Sequence, residues 1–92
     1  MSVSVTQTAT APKLEFAVDV REGRGSSRHT VTLDPALLAR LGKGAGGERF
    51  VEGVFAFLLE REPKESILSH FDVSVVSRYF PEFESEIGSY LG

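Results

Sequence analysis

ERFVEGVFAFLLER, Glu48 to Arg61, is the stretch on which the fold turns. At about 100° per residue, Phe50, Val51, Val54, Phe55, Phe57, Leu58 and Leu59 sweep about 200° of a helical circumference. Arg49, Glu52, Gly53, Ala56 and Glu60 share the narrow remainder. A helix that is apolar over so wide an arc needs neighbours on several sides. The pattern therefore predicts a long helix at the centre of the fold, or of a dimer. Gly53 and Ala56, the small residues of the polar stripe, would let another helix approach closely, and they are candidates for a dimer or interaction surface.

Downstream, the charged knot Glu60-Arg61-Glu62-Pro63-Lys64-Glu65 interrupts the apolar pattern. Proline lacks the N–H that continues a helix, and its ring clashes with the preceding turn; it is tolerated where a helix begins. Pro63 thus predicts a joint between helices, with Glu65 near the positive end of the next one. Ile67, Leu68 and Phe71 supply an apolar face, and Asp72 can cap a further piece carrying Val73, Val76 and Phe80. Pro81 repeats the device, followed by Glu82 and Glu84 with Phe83 and Ile87 beneath. Two to three short C-terminal helices are expected. Tyr79 and Phe80, beside Arg78, form an aromatic edge and are further candidates for an interaction surface.

Upstream, Leu14, Phe16, Val18 and Val20 alternate with Glu15, Ala17, Asp19 and Arg21, the period of a half-buried strand. After the glycine- and serine-rich REGRGSS, His29, Val31 and Leu33 alternate with Arg28, Thr30 and Thr32. Two such runs around a glycine loop predict an antiparallel hairpin. Asp34-Pro35 is a helix start, with a capping carboxylate followed by a proline at the first helical position, and Gly42 stops that short helix. The fold class is α+β: an N-terminal antiparallel β-hairpin, a short helix, a long central helix and the short C-terminal helices. Residues 1–12, rich in Ser, Thr, Ala and Gln, read as a disordered tail, and residues 13–92 as a single small domain.

Composition excludes several classes of chemistry. The 92 residues include no cysteine, so disulfides and thiolate catalysis are absent. GKGAGG, Gly42 to Gly47, lacks the order of a phosphate loop, because Lys43 comes too early and no hydroxyl follows. His29 and His70 are far apart in sequence, and no GxSxG marks a nucleophile. No catalytic, cofactor-binding or metal-binding residues are expected, and the chain reads as non-enzymatic. The N-terminus lacks a basic start followed by an apolar run, and no stretch is long enough to span a membrane, so a cytoplasmic location is expected. The net charge of −3 is unevenly spread, with six basic and four acidic residues in the first 46 against four and nine in the remainder.

Two resemblances bear on function. FLLEREPKESIL with FDVSVVSRYFPEFESEI resembles the ending of a group of small, uncharacterised bacterial proteins built from a hairpin and a central helix. That likeness implies fold and bacterial origin, with no activity attached. Residues 28–61 resemble the ribbon-helix-helix pattern, in which two strands pair across a dimer and present outward side chains to the DNA major groove. That resemblance implies Arg28, Thr30 and Thr32 as base readers. The acidic net charge opposes phosphate contact. The leading expectation is a protein-interaction or adaptor module with a protein partner or a homodimer, and the alternative is a dimeric DNA-binding regulator.

Overall fold

The computed structural model describes residues 1–92 and shows an α+β fold in which one face of a four-stranded sheet carries all the helices. Strands β1 (Ser2–Ala9), β2 (Leu14–Glu22) and β3 (Gly25–Leu33) form an antiparallel meander, and β4 (His70–Asp72) adds to β3 in parallel. Helices α1 (Pro35–Leu41) and α2 (Gly47–Leu59) follow β3. A 3₁₀ turn, Lys64–Ser66, leads to β4, and α3 (Ser74–Tyr79), α4 (Phe83–Glu86) and a second 3₁₀ turn, Ile87–Tyr90, close the chain. No helix is long and apolar enough to cross a membrane.

The hairpin is set by a two-residue loop. Glu22 pairs with Gly25, and Gly23 sits at φ +59°, the conformation that the first position of a tight primed turn reserves for glycine. This turn makes Glu22 and Gly25 a hydrogen-bonded pair and thereby fixes the parity of the whole sheet. Even-numbered residues of β2 bond to β3, and odd-numbered ones bond to β1. The next strand follows the same rule: the Thr30 N–H donates to Ser69 O at 2.8 Å, and the Val73 N–H donates to Thr32 O at 2.9 Å.

The expected tail is corrected. Residues 2–9 form β1, with Val3 and Val5 half-buried opposite Val20 and Val18. Their short valine alternation is too small a signal to separate from a polar tail until β2 supplies a ladder. The hairpin is accordingly one part of a larger sheet. His70, in a stretch where the sequence pattern predicts short helices, lies in β4 beside Thr30. Three residues of parallel strand carry no periodicity that sequence could show.

The core lies between the sheet and α2. Phe16, Val18, Val20, Val31 and Leu33 point toward the helices, and Phe50, Val51, Val54, Phe55, Phe57 and Leu58 meet them. The central helix is thus buried on most sides, as its wide apolar arc requires, and runs Gly47–Leu59 rather than to Arg61. Gly47 lets it descend onto β2, where a Cβ would stand 2.7 Å from the Phe16 ring. Helix α1 begins as anticipated: Asp34 accepts from the Ala36 N–H at 2.8 Å and Pro35 takes the first position. The segment after Pro63 is a single 3₁₀ turn and then extended at Ile67, so Ile67 is buried while Leu68 is turned out.

Candidate interaction surface

The C-terminal end of α2, the Ile67–Leu68 segment, Phe71 of β4 and helix α3 enclose an open groove of about 420 Å³. Leu58, Ile67, Phe71, Val76 and Phe80 form its apolar walls, and Leu68 and Tyr79 stand on its rim. Those two are 52% and 70% exposed, and Met1 is the only other large hydrophobic side chain in the chain that is exposed. Exposed apolar side chains scattered singly carry no message, whereas their convergence on one concavity makes that groove the candidate interaction surface. Glu62 also lines the groove and has no ion-pair partner, although neighbouring carboxylates are paired: Glu65 with Lys64, and Glu82 and Glu86 with Arg61.

The groove is held by polar bonds behind it. His29, 5% exposed, joins β3 to the groove rim: its Nδ1 lies 2.7 Å from the Leu68 carbonyl and its Nε2 2.8 Å from the Ser27 hydroxyl. A carbonyl only accepts, so Nδ1 donates to Leu68, and Nε2 shares its hydrogen bond with the Ser27 hydroxyl. Both ring nitrogens of this buried histidine are therefore engaged in structure, as its place on the apolar face of the strand leads one to expect.

A second polar cluster seats α3. Asp72 accepts from the Thr32 hydroxyl at 2.6 Å, from Lys13 Nζ at 3.1 Å, and from the Ser74 hydroxyl and N–H at 2.7 and 3.1 Å. Burial alone would raise its pKa, but the bonds from Thr32, Ser74 and Lys13 prevail and bring it from 3.8 down to about 2. A depressed carboxylate stabilises the fold fully above its unfolded value, and the contribution is lost as pH falls through the folded value. Asp72→Asn is expected to cost about 2 kcal/mol at neutral pH, the free-energy equivalent of that shift. The difference from the parent protein should shrink progressively between about pH 5 and pH 1 in urea titrations. A difference that persists unchanged at pH 2 contradicts the assignment.

The remaining sites expected from sequence are distributed as follows. Tyr79 and Phe80 belong to the groove, one on its rim and one in its wall. Ala56 is exposed on α2, apart from them. Gly53, expected on a dimer surface, is buried: a Cβ there would stand 2.7 Å from Leu91 Cδ2 and 3.4 Å from the Tyr90 carbonyl. The close approach its missing side chain permits is made by the chain's own C-terminus. Arg28, Thr30 and Thr32 lie on the open face of the sheet, where Arg28 and Thr30 line a largely polar depression, also of about 420 Å³, with Ser4, Thr6, Ala17 and Asp19. Their strand has β2 on one edge and β4 on the other. The two-stranded ribbon implied by the ribbon-helix-helix resemblance would need the edge of β3 that β4 occupies at Thr30–Thr32, and Thr32 is already bonded to Asp72.

Sequence reasoning missed Leu68 as a rim residue. The sequence pattern groups it with Ile67 and Phe71 on one helical face, but the extended backbone at Ile67 sends neighbouring side chains to opposite sides. Pro63 was the available signal, since a proline followed by only three residues before an apolar pair suits a turn as well as a helix. No protein-family model, curated protein or solved structure matches the chain.

Proposed function

We propose that the chain is a non-enzymatic protein-interaction module that seats a short apolar segment of a partner protein in the groove between α2, β4 and α3. The observation supporting this reading is the convergence of Leu68 and Tyr79 on that groove, leaving otherwise only Met1 as a large exposed hydrophobic. An amphipathic helix laid into an apolar groove is a recurrent mode of recognition, with a few large side chains as anchors. The unpaired Glu62 on the lining favours a partner segment that carries a lysine or arginine beside its apolar anchors.

The test is a double substitution, Leu68→Ser with Tyr79→Ser. Both side chains are mostly in water, so the melting curve should shift little. Removing an aromatic anchor from an interface commonly costs about 2 kcal/mol or more, so capture of the partner identified with the parent chain should fall at least about 10-fold. Glu62→Lys should weaken the same complex by charge reversal. Capture of that partner at undiminished affinity by the double variant overturns the reading.

A further inference from the structure

The free edge of β1 has a chemistry of its own, independent of the groove. The parity set by the Gly23-Arg24 turn directs the N–H and C=O groups of Ser2, Ser4 and Thr6 toward β2 and those of Val3, Val5 and Gln7 away from it. The Gln7 N–H confirms this direction, because it donates outward to Glu48 Oε2 at 2.9 Å. Glu48 thus closes one end of the edge, where the register also shifts between Gln7 and Ala9. Val3 and Val5 have no such cover from a side chain. Natural edge strands are blunted by charge, proline, bulges or brevity. On the opposite side of the sheet, β4 is only three residues long and contains Asp72, and the part of β3 that β4 leaves unpaired, Gly25–His29, carries Arg28. Ser2–Ala9 contains no charged residue and no proline.

We propose that this edge pairs with a second copy of itself, joining two four-stranded sheets into one continuous sheet about a two-fold axis at Ser4. The occupant is indicated by the sequence of the edge, which has the same chemical order from either end: Ser2, Val3, Ser4, Val5, Thr6. Antiparallel pairing centred on Ser4 sets Val3 against Val5 of the other copy and Ser2 against Thr6. Val3 and Val5 are the residues whose backbone groups face outward, so each such pair exchanges both of its hydrogen bonds. The half-buried valines of both copies then extend the apolar face already packed on the core, while the hydroxyl residues stay together on the open face. No like charges meet along the strand. Shifting the two-fold axis to Val5 would set Val3 against Gln7, whose N–H Glu48 already holds, so this bond selects the register centred on Ser4. The interface is short and belongs to the weak, transient class, so association depends on concentration.

The experiment combines sedimentation with cross-linking of the full chain. The parent protein should pass from a 10.0 kDa species toward its dimer as concentration rises to about 0.5 mM. Ser4 is a non-hydrogen-bonded position across the two-fold axis, with a Cα separation of about 4.5 Å, within the span of a disulfide. In a chain without native cysteine, Ser4→Cys should therefore oxidise to a dimer at least about 10-fold faster than Ser26→Cys, a control on the same open face. Val5→Pro removes an N–H that serves only the outer edge, and Ser4→Lys sets two cations face to face; each should weaken association at least about 10-fold. Circular dichroism of Ser4→Lys, whose side chain is in solvent, separates lost pairing from lost folding. A parent protein that stays monomeric at about 0.5 mM overturns the proposal, as does equal cross-linking of the two cysteine variants.

Discussion

Replacing Phe57 by alanine is expected to leave the domain largely unfolded at 37 °C. The Phe57 side chain is fully buried where α2 meets the C-terminal segment, and its ring stands edge-on to Phe80, Phe83 and Tyr90 at 5.8, 5.1 and 5.7 Å. On another side the Arg61 guanidinium lies 3.6 Å from the ring centroid. Truncating a buried phenylalanine costs about 3–5 kcal/mol through lost transfer energy and the cavity left behind. Domains are stable by only about 5–15 kcal/mol, and a chain this small belongs near the lower end. The loss extends past the ring itself. Arg61 bonds Glu82 at 3.1 Å, Glu86 at 2.9 Å and the Phe57 carbonyl at 3.0 Å, so it ties the last two helical pieces to α2. Its bond to Tyr90 foremost, with Glu82 and Glu86 adding to it, holds its pKa above the usual arginine value against the opposing effect of burial. Without the ring beneath it, that knot of charge has a void below it. Urea titration and the dispersion of amide resonances check the outcome, and a variant within about 1 kcal/mol of the parent contradicts it.

Gly53→Leu is expected to be the next most damaging change, and to act within one chain. Its Cβ would already press on Leu91 and the Tyr90 carbonyl, with Ile87 Cδ1 at 3.6 Å, and the rest of the leucine has no space to enter. Overpacking of this kind costs about 1–3 kcal/mol, and a carbonyl among the obstructing atoms places this case near the top of that range. The C-terminal 3₁₀ turn should detach from α2 while the sheet persists, which selective loss of amide protection over residues 87–91 would reveal. Had Gly53 served a dimer seam, the same substitution would split a dimer into folded monomers. A sedimentation change with the melting curve intact would therefore contradict the intramolecular packing. The more conservative Gly53→Ala meets first the flexible end of Leu91, which can move, and should be much milder.

These two positions show how unevenly the fold was legible. The period alone places Phe57 in a buried position, because a seven-residue apolar arc needs neighbours on several sides, and the chain's own sheet and C-terminal segment supply them. Gly53 lay on the polar stripe of the same helix and was assigned outward; what covers it is Leu91 and Tyr90, about forty residues later, and no local pattern reports such a partner. The same limit applied to the sheet. The β2–β3 hairpin declared itself through strict alternation and a glycine turn, whereas β1 and β4 exist only because β2 and β3 offer ladders to them. Of the groove, Tyr79 and Phe80 were identified, but their union with Leu58 and Leu68 depends on the chain reversing at Pro63 and returning through β4.

Local chemistry settled the α+β class, the caps at Asp34 and Pro35, the hairpin and the burial of α2, since periodicity and proline geometry act over a few neighbouring residues and do not depend on the rest of the chain. Long-range packing alone decided the sheet order, the second use of Gly53, the docking of β4 on Thr30–Thr32 of β3 and the outward turn of Leu68. Each of those depends on which segments compete for the same backbone partners and the same apolar surface, a competition settled when the whole chain condenses.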